Sequence, residues 1–298
     1  MDHFADRLAE RVRAVGAGLC VGVDPVLERL PPALTQALDA FAADDDDAVA
    51  AAAIGRFAET VCRAVAPLAA AVKFQSACFE RHGAAGIDAL HRAIGAAKNA
   101  GLIVILDAKR GDIGLTAEHY AAATIGRPGV DAVTVNPYMG PDTLQPFIDE
   151  AARLGKGLFA LVRTSNPGAD ALQTLALDDG RTVADAVADM VADAGARTIG
   201  DGGYSHVGAV VGATRPRTLA ALRRRMPRQW LLLPGVGAQG GDAADLADAF
   251  DDRGLGALVT ASRSVIYAFE NADPADWTSA VADAAAALHQ QLAPHEAT

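Results

Sequence analysis

The sequence predicts an α/β protein, a single-domain (β/α)8 barrel of the TIM type spanning residues 1–298, with one helix ahead of the barrel. Three observations lead there. Short apolar runs alternate with helix-length segments from one end to the other, the pattern of parallel strands joined by helical crossovers. The runs number eight, which favours a closed barrel over an open doubly wound sheet. The length of 298 residues suits one barrel of ~250 residues plus insertions, and no linker or internal repeat divides the chain.

Taken in order, Phe4, Leu8, Val12 and Val15 recur at helical spacing and predict a leading amphipathic helix. The predicted strands are Leu19–Asp24, Ala70–Phe74, Ile103–Asp107, Ala132–Asn136, Leu158–Arg163, Val207–Gly212, Trp230–Pro234 and Gly256–Thr260. Helices are expected at Ala84–Ala100, Pro141–Leu154, Thr182–Gly200 and Gly241–Phe250. Two segments exceed what a minimal barrel needs: Pro25–Asp47 after the first strand and Thr164–Gly180 after the fifth. Both follow a strand's C-terminal end, where barrel enzymes build their sites, so they read equally as lids or as decoration. The acidic run Asp44 to Asp47 reads most simply as a solvated loop.

Composition narrows the function. A net charge of −11 argues against nucleic-acid binding, which needs a basic face, and obliges any phosphate pocket to gather its own cations. No apolar stretch reaches the ~20 residues of a membrane span, and no signal-like apolar region opens the chain, so a cytoplasmic protein is expected. Cys20, Cys62 and Cys78 have neither metal-ligand spacing nor the look of a disulfide framework. The seven histidines have no zinc-like spacing, and no metal site is expected.

Chemistry concentrates at strand ends. The third strand runs into Asp107, Lys109 and, past a glycine, Asp112; alternation along a strand would project Asp107 and Lys109 together. Lys73 sits near the tip of the second strand, and Asp24 closes the first. An ion-pair network closing the barrel mouth is the structural alternative for any one of them. Five charges of alternating sign on three strand ends instead suggest a purpose-built site, since burying charge is costly unless it is paired. After the seventh strand, Gly235, Gly237 and Gly240 form a G-x-G-x-x-G pattern. With one further βα unit behind it, there is no room for a dinucleotide-binding domain. A phosphate loop fits better, because loops after strands seven and eight of such barrels commonly bind phosphate. Arg263, at the end of the eighth strand, adds a cation able to grip phosphate with two parallel hydrogen bonds.

The run Asp107, Ala108, Lys109, Arg110, Gly111, Asp112, Ile113, Gly114, Leu115, Thr116 resembles the D-x-K-x-x-D-I-x-x-T signature of the orotidine 5′-monophosphate decarboxylases. Phe74–Glu80, Arg163–Gly168 and Pro234–Gly241 look like that family's longer bacterial branch, and the likeness extends from Asp24 to Arg263. The resemblance implies a lyase of pyrimidine biosynthesis that makes uridylate from orotidylate without metal or organic cofactor. It implies that Lys109 stabilises the carbanion and protonates C6, with Asp107, Asp112 and Lys73 completing the charged set. It assigns Asp24 and Lys73 to the ribose, Ser165 to the pyrimidine edge, and Gln239 and Arg263 to the phosphate. It also implies a homodimer in which Asp112, Ile113 and Thr116 reach the neighbouring subunit's site. One departure is a shortened loop after strand seven, lacking the tyrosine by which other branches hold phosphate. The competing expectations are a metal-dependent sugar-phosphate aldolase or epimerase on the same barrel, and a nucleotide-binding barrel without catalysis.

Overall fold

Apolar runs buried on both faces form parallel strands readily, and all eight expected strands are present within a residue or two of their predicted bounds, apart from the longer third. In the computed structural model, which describes residues 3–39, 46–213, 216–235, 243–271 and 276–293, they are β1 (Leu19–Val23), β2 (Ala71–Gln75), β3 (Ile103–Arg110), β4 (Ala132–Val135), β5 (Gly157–Arg163), β6 (Val207–Val211), β7 (Leu231–Pro234) and β8 (Ala257–Ala261). They close in sequence order into one barrel. β3 runs three residues further than expected and carries Lys109 within it.

The helices are α1 (Phe4–Val15), α2 (Pro32–Asp39), α3 (Asp46–Val65), α4 (Ser76–Glu80), α5 (Gly83–Asn99), α6 (Gly114–Thr124), α7 (Pro141–Leu154), α8 (Asp170–Gln173), α9 (Val183–Gly195), α10 (Pro216–Arg225), α11 (Arg263–Ile266) and α12 (Trp277–Leu292). The acidic run is corrected in part: α3 begins at Asp46, and Asp47 lies in its first turn, where a carboxylate suits the positive end of the helix dipole. Asp47 stays mostly solvated and meets His82 Nδ1 at 3.2 Å. The helix expected over Gly241–Phe250 is a tighter 3-10 helix at Ala243–Ala249. The one expected from Thr182 to Gly200 stops at Gly195, its start fixed by a reciprocal Thr182–Asp185 cap.

By contacts the chain falls into two compact units, Met1–Ala14 with Lys109–Thr260, and Val15–Ala108 with Ala261–Thr298. In the first, α1 buries Phe4, Leu8 and Val12, while Val15 is only half-buried. The Phe4 ring meets Phe159 edge-on at 6.1 Å. It packs so tightly on Gly157 that a Cβ there would lie 2.2 Å from the ring. Arg7 pairs with Asp131 at 2.7 Å and donates to the Gly155 carbonyl at 3.0 Å. Asp6 accepts the Asp201 and Gly202 amides. In the second unit, Phe57 stacks on Tyr267 and Trp277. The Arg29 guanidinium lies 3.8 Å from the centre of the Tyr267 ring and forms a two-pronged pair with Glu270. Cys20 and Cys62 are buried, as small apolar residues would be.

Candidate active site

The second unit holds three of the expected charges in direct contact. Lys73 lies in register with Gly22 of β1 and Ile105 of β3, so its side chain rises from the middle of β2 among buried neighbours. Its Nζ donates to Asp107 Oδ2 at 2.7 Å and lies 3.8 Å from Asp24 Oδ1. The Lys73 and Asp107 side chains are 9% and 7% exposed, that of Asp24 31%. Burial by itself would push the Lys73 ammonium down, but the charges of Asp24 and Asp107 outweigh it and hold its pKa above the ordinary lysine value. Gln75 Nε2 also reaches Asp107, at 3.4 Å.

Asp24 is fixed by residues to which the sequence assigned no role. Ser262 Oγ donates to Asp24 Oδ2 at 2.6 Å. The Tyr267 hydroxyl donates to the Asp24 carbonyl at 3.1 Å and accepts the Val26 amide at 2.7 Å. Gly22 makes this possible, since a Cβ there would stand 2.8 Å from the Ser262 Cβ. Asp24 Oδ1 is buried and accepts no hydrogen bond among the described residues. Burial pushes the nearby Cys78 thiol up to about 11, and the Asp24 charge adds to the shift. Arg263, the first residue of α11, is exposed.

The first unit holds Lys109, Asp112, Ile113, Thr116 and Ser165. Lys109 has φ +47°, the one positive φ of a non-glycine residue among those described. In the single chain the Lys109 side chain is exposed. Its amide donates to Thr134 Oγ1 at 3.0 Å. Asp112 is half-buried, and its Oδ1 accepts the Ile113 amide at 2.8 Å. Ile113 is 62% exposed, and Thr116, in the first turn of α6, is exposed as well.

Ser165 packs on Gly212 beyond β6, where a Cβ would approach the serine's own Cβ to 3.2 Å. The segment after it is organised by buried Arg163, which binds Asp170 and, at 2.8 Å, Gln173 Oε1. Gln173 also joins both the amide and the hydroxyl of Thr164. The long segment Thr164–Gly180 is thus a tied structure with Leu172, Leu175 and Leu177 exposed. Gln239 and the glycine pattern after β7, apart from its first residue Gly235, lie outside the described residues. Among the described residues, no three His, Cys, Asp or Glu side chains gather in a way that could hold a metal ion. No helix among them is long and apolar enough to cross a membrane.

Thr134, Ser262 and Tyr267 were missed by sequence reasoning. The one available signal was a hydroxyl interrupting an apolar strand, as Thr134 does in β4.

A closed parallel barrel whose strand ends carry lysines and carboxylates is the framework of a (β/α)8-barrel enzyme. Residues 19–275 match the model of the Orotidine 5′-phosphate decarboxylase / HUMPS family, and the chain belongs to that family. It is 43% identical over 305 residues to the orotidine 5′-phosphate decarboxylase of Rhodopirellula baltica, covering 98% of this chain and 99% of that one. Identity to the enzyme of the same name from Deinococcus radiodurans is 43% over 267 residues, 89% of each chain. Among solved structures, Leishmania donovani OMP decarboxylase superposes with a TM-score of 0.73 at 34% identity, covering 97% of this chain and 99% of that one. Names of this kind do not favour the sugar-phosphate alternative.

Proposed function

We propose that this protein decarboxylates orotidine 5′-monophosphate to uridine 5′-monophosphate, with the whole chain acting as one catalytic domain in the cytoplasm. The observation that carries the reading is Lys109: the strained lysine of the family's charged signature, at the end of a barrel strand, where barrel enzymes place their chemistry. Loss of carbon dioxide leaves a carbanion-like C6. The Lys109 ammonium stabilises the growing charge and then gives it a proton. The uncatalysed reaction is so slow that the barrier must fall by on the order of 20 kcal/mol. One lysine cannot supply that, so binding of the ribose and phosphate must help fix the reacting geometry.

Asp24 and Lys73 take the ribose hydroxyls in this reading. The buried Asp24 Oδ1, which accepts nothing among the described residues, supports a hydroxyl donor there. Ser165 recognises the pyrimidine edge, while Arg263 and Gln239 bind the phosphate; the exposure of Arg263 suits an incoming anion. The active form is a homodimer, with Asp112, Ile113 and Thr116 of the partner subunit completing each site. The exposure of Ile113 and Leu115, at 62% and 66%, supports that cover. Purified protein should consume orotidylate, followed by the fall in its ultraviolet absorbance, and should do so undiminished with a chelator present. Turnover abolished by the chelator would favour the metal-dependent alternative.

A further inference from the structure

We propose that Thr134 is a positioning residue for the reaction: through its hydroxyl it holds Lys109 in the left-handed conformation from which the lysine acts. This inference rests on reading Lys109 as the proton donor. A lysine at φ +47° is disfavoured and persists only where its surroundings impose it. Three contacts with the end of β4 do so. The Lys109 amide donates to Thr134 Oγ1 at 3.0 Å. One residue on, the Arg110 carbonyl accepts the Asn136 amide at 2.8 Å. Gly111 then lies so close to β4 that a Cβ there would stand 2.8 Å from the Asn136 carbonyl oxygen. The segment from Lys109 to Gly111 is therefore pinned against Thr134 to Asn136.

Of these contacts, only the first is made by a side chain of β4, so it is the one a substitution can remove without touching the backbone. It is also the one made at Lys109 itself. Thr134 is 1% exposed in a strand whose other residues are alanine and valine. A valine would fit the space as well and suit the strand equally. What threonine adds is an acceptor aimed at the lysine's amide. Register of β3 with β2 runs no further than Gln75 and Asp107, two residues before Lys109. The hydroxyl acts just beyond that point, where β3 leaves its regular course.

The test compares Thr134→Val, which keeps the shape and removes the acceptor, with Thr134→Ser, which keeps the acceptor and removes a methyl. Misplacing a catalytic group by about an ångström costs up to ~100-fold in rate. Thr134→Val should therefore lower kcat about 10- to 100-fold while KM and the affinity for uridylate stay within about threefold, the signature of a loss confined to the transition state. Thr134→Ser should keep kcat within about threefold of the parent. Normal kcat in Thr134→Val, or an equal loss in Thr134→Ser, overturns the proposal. If the valine variant fails to fold, Thr134→Ala set against Thr134→Ser makes the same comparison. Lys109→Ala assayed alongside separates the two readings. Full activity in that variant sinks the Lys109 assignment, whereas an inactive Lys109→Ala beside an unimpaired Thr134→Val sinks the role of Thr134 alone.

Discussion

Lys73 is a cation with almost no access to water, kept charged by two carboxylates. Removing it should leave Asp24 and Asp107 uncompensated, and breaking such a buried pair costs about 3–5 kcal/mol. Because the folded state raises the Lys73 pKa, folding holds that proton more tightly than the unfolded chain does. The resulting stability is complete below the ordinary lysine value, about 10.4, and is lost as pH rises through the higher folded value. Denaturant titrations at pH 9 and above should show wild-type stability falling on the alkaline side, with a shallower fall in Lys73→Met. Parallel curves would contradict the pairing. Lys73, Asp107 and Lys109 were legible in the sequence because a charge in an apolar strand is conspicuous. Thr134 was far less so, since threonine is an ordinary strand former and its hydroxyl acquires meaning only from the left-handed turn opposite it.

Strands were the most legible elements, because a run such as Ile103–Leu106 has no alternative to burial on both faces. Helix ends and winding were less so: nothing local distinguishes the 3-10 stretch Ala243–Ala249 from an α-helix of the same alanine-rich composition. The docking of α1 was half visible. Its apolar stripe could be read, but its partner, the bare backbone at Gly157, could not. Gly157→Ala should destabilise the protein by about 1–3 kcal/mol, the usual cost of overpacking. Phe4→Ala should be destabilising too, yet the double variant should lose less than the sum, because the truncated ring makes room for the methyl. Strict additivity in urea denaturation would show that the two residues do not share a contact in solution.

At the scale of the whole molecule, barrel closure and the family could be read from strand count and signature, while subunit sharing came from resemblance alone. A single chain's sequence carries no mark of which exposed residues meet a second copy. Sharing makes a prediction that is independent of any structure of the dimer. Refolding Lys109→Ala together with Asp112→Ala should give mixed dimers with one intact site, restoring up to about a quarter of wild-type activity by statistical pairing across a two-fold interface. A mixture as inactive as its components would place each site within one chain. Whether the Lys109 ammonium meets C6 is decided by orotidylate turnover in Lys109→Ala. That variant should lose kcat by at least about 10³-fold, within the range for a general acid, with uridylate binding and thermal unfolding near wild type. A variant that folds, binds uridylate and still turns over orotidylate at a comparable rate would contradict that contact.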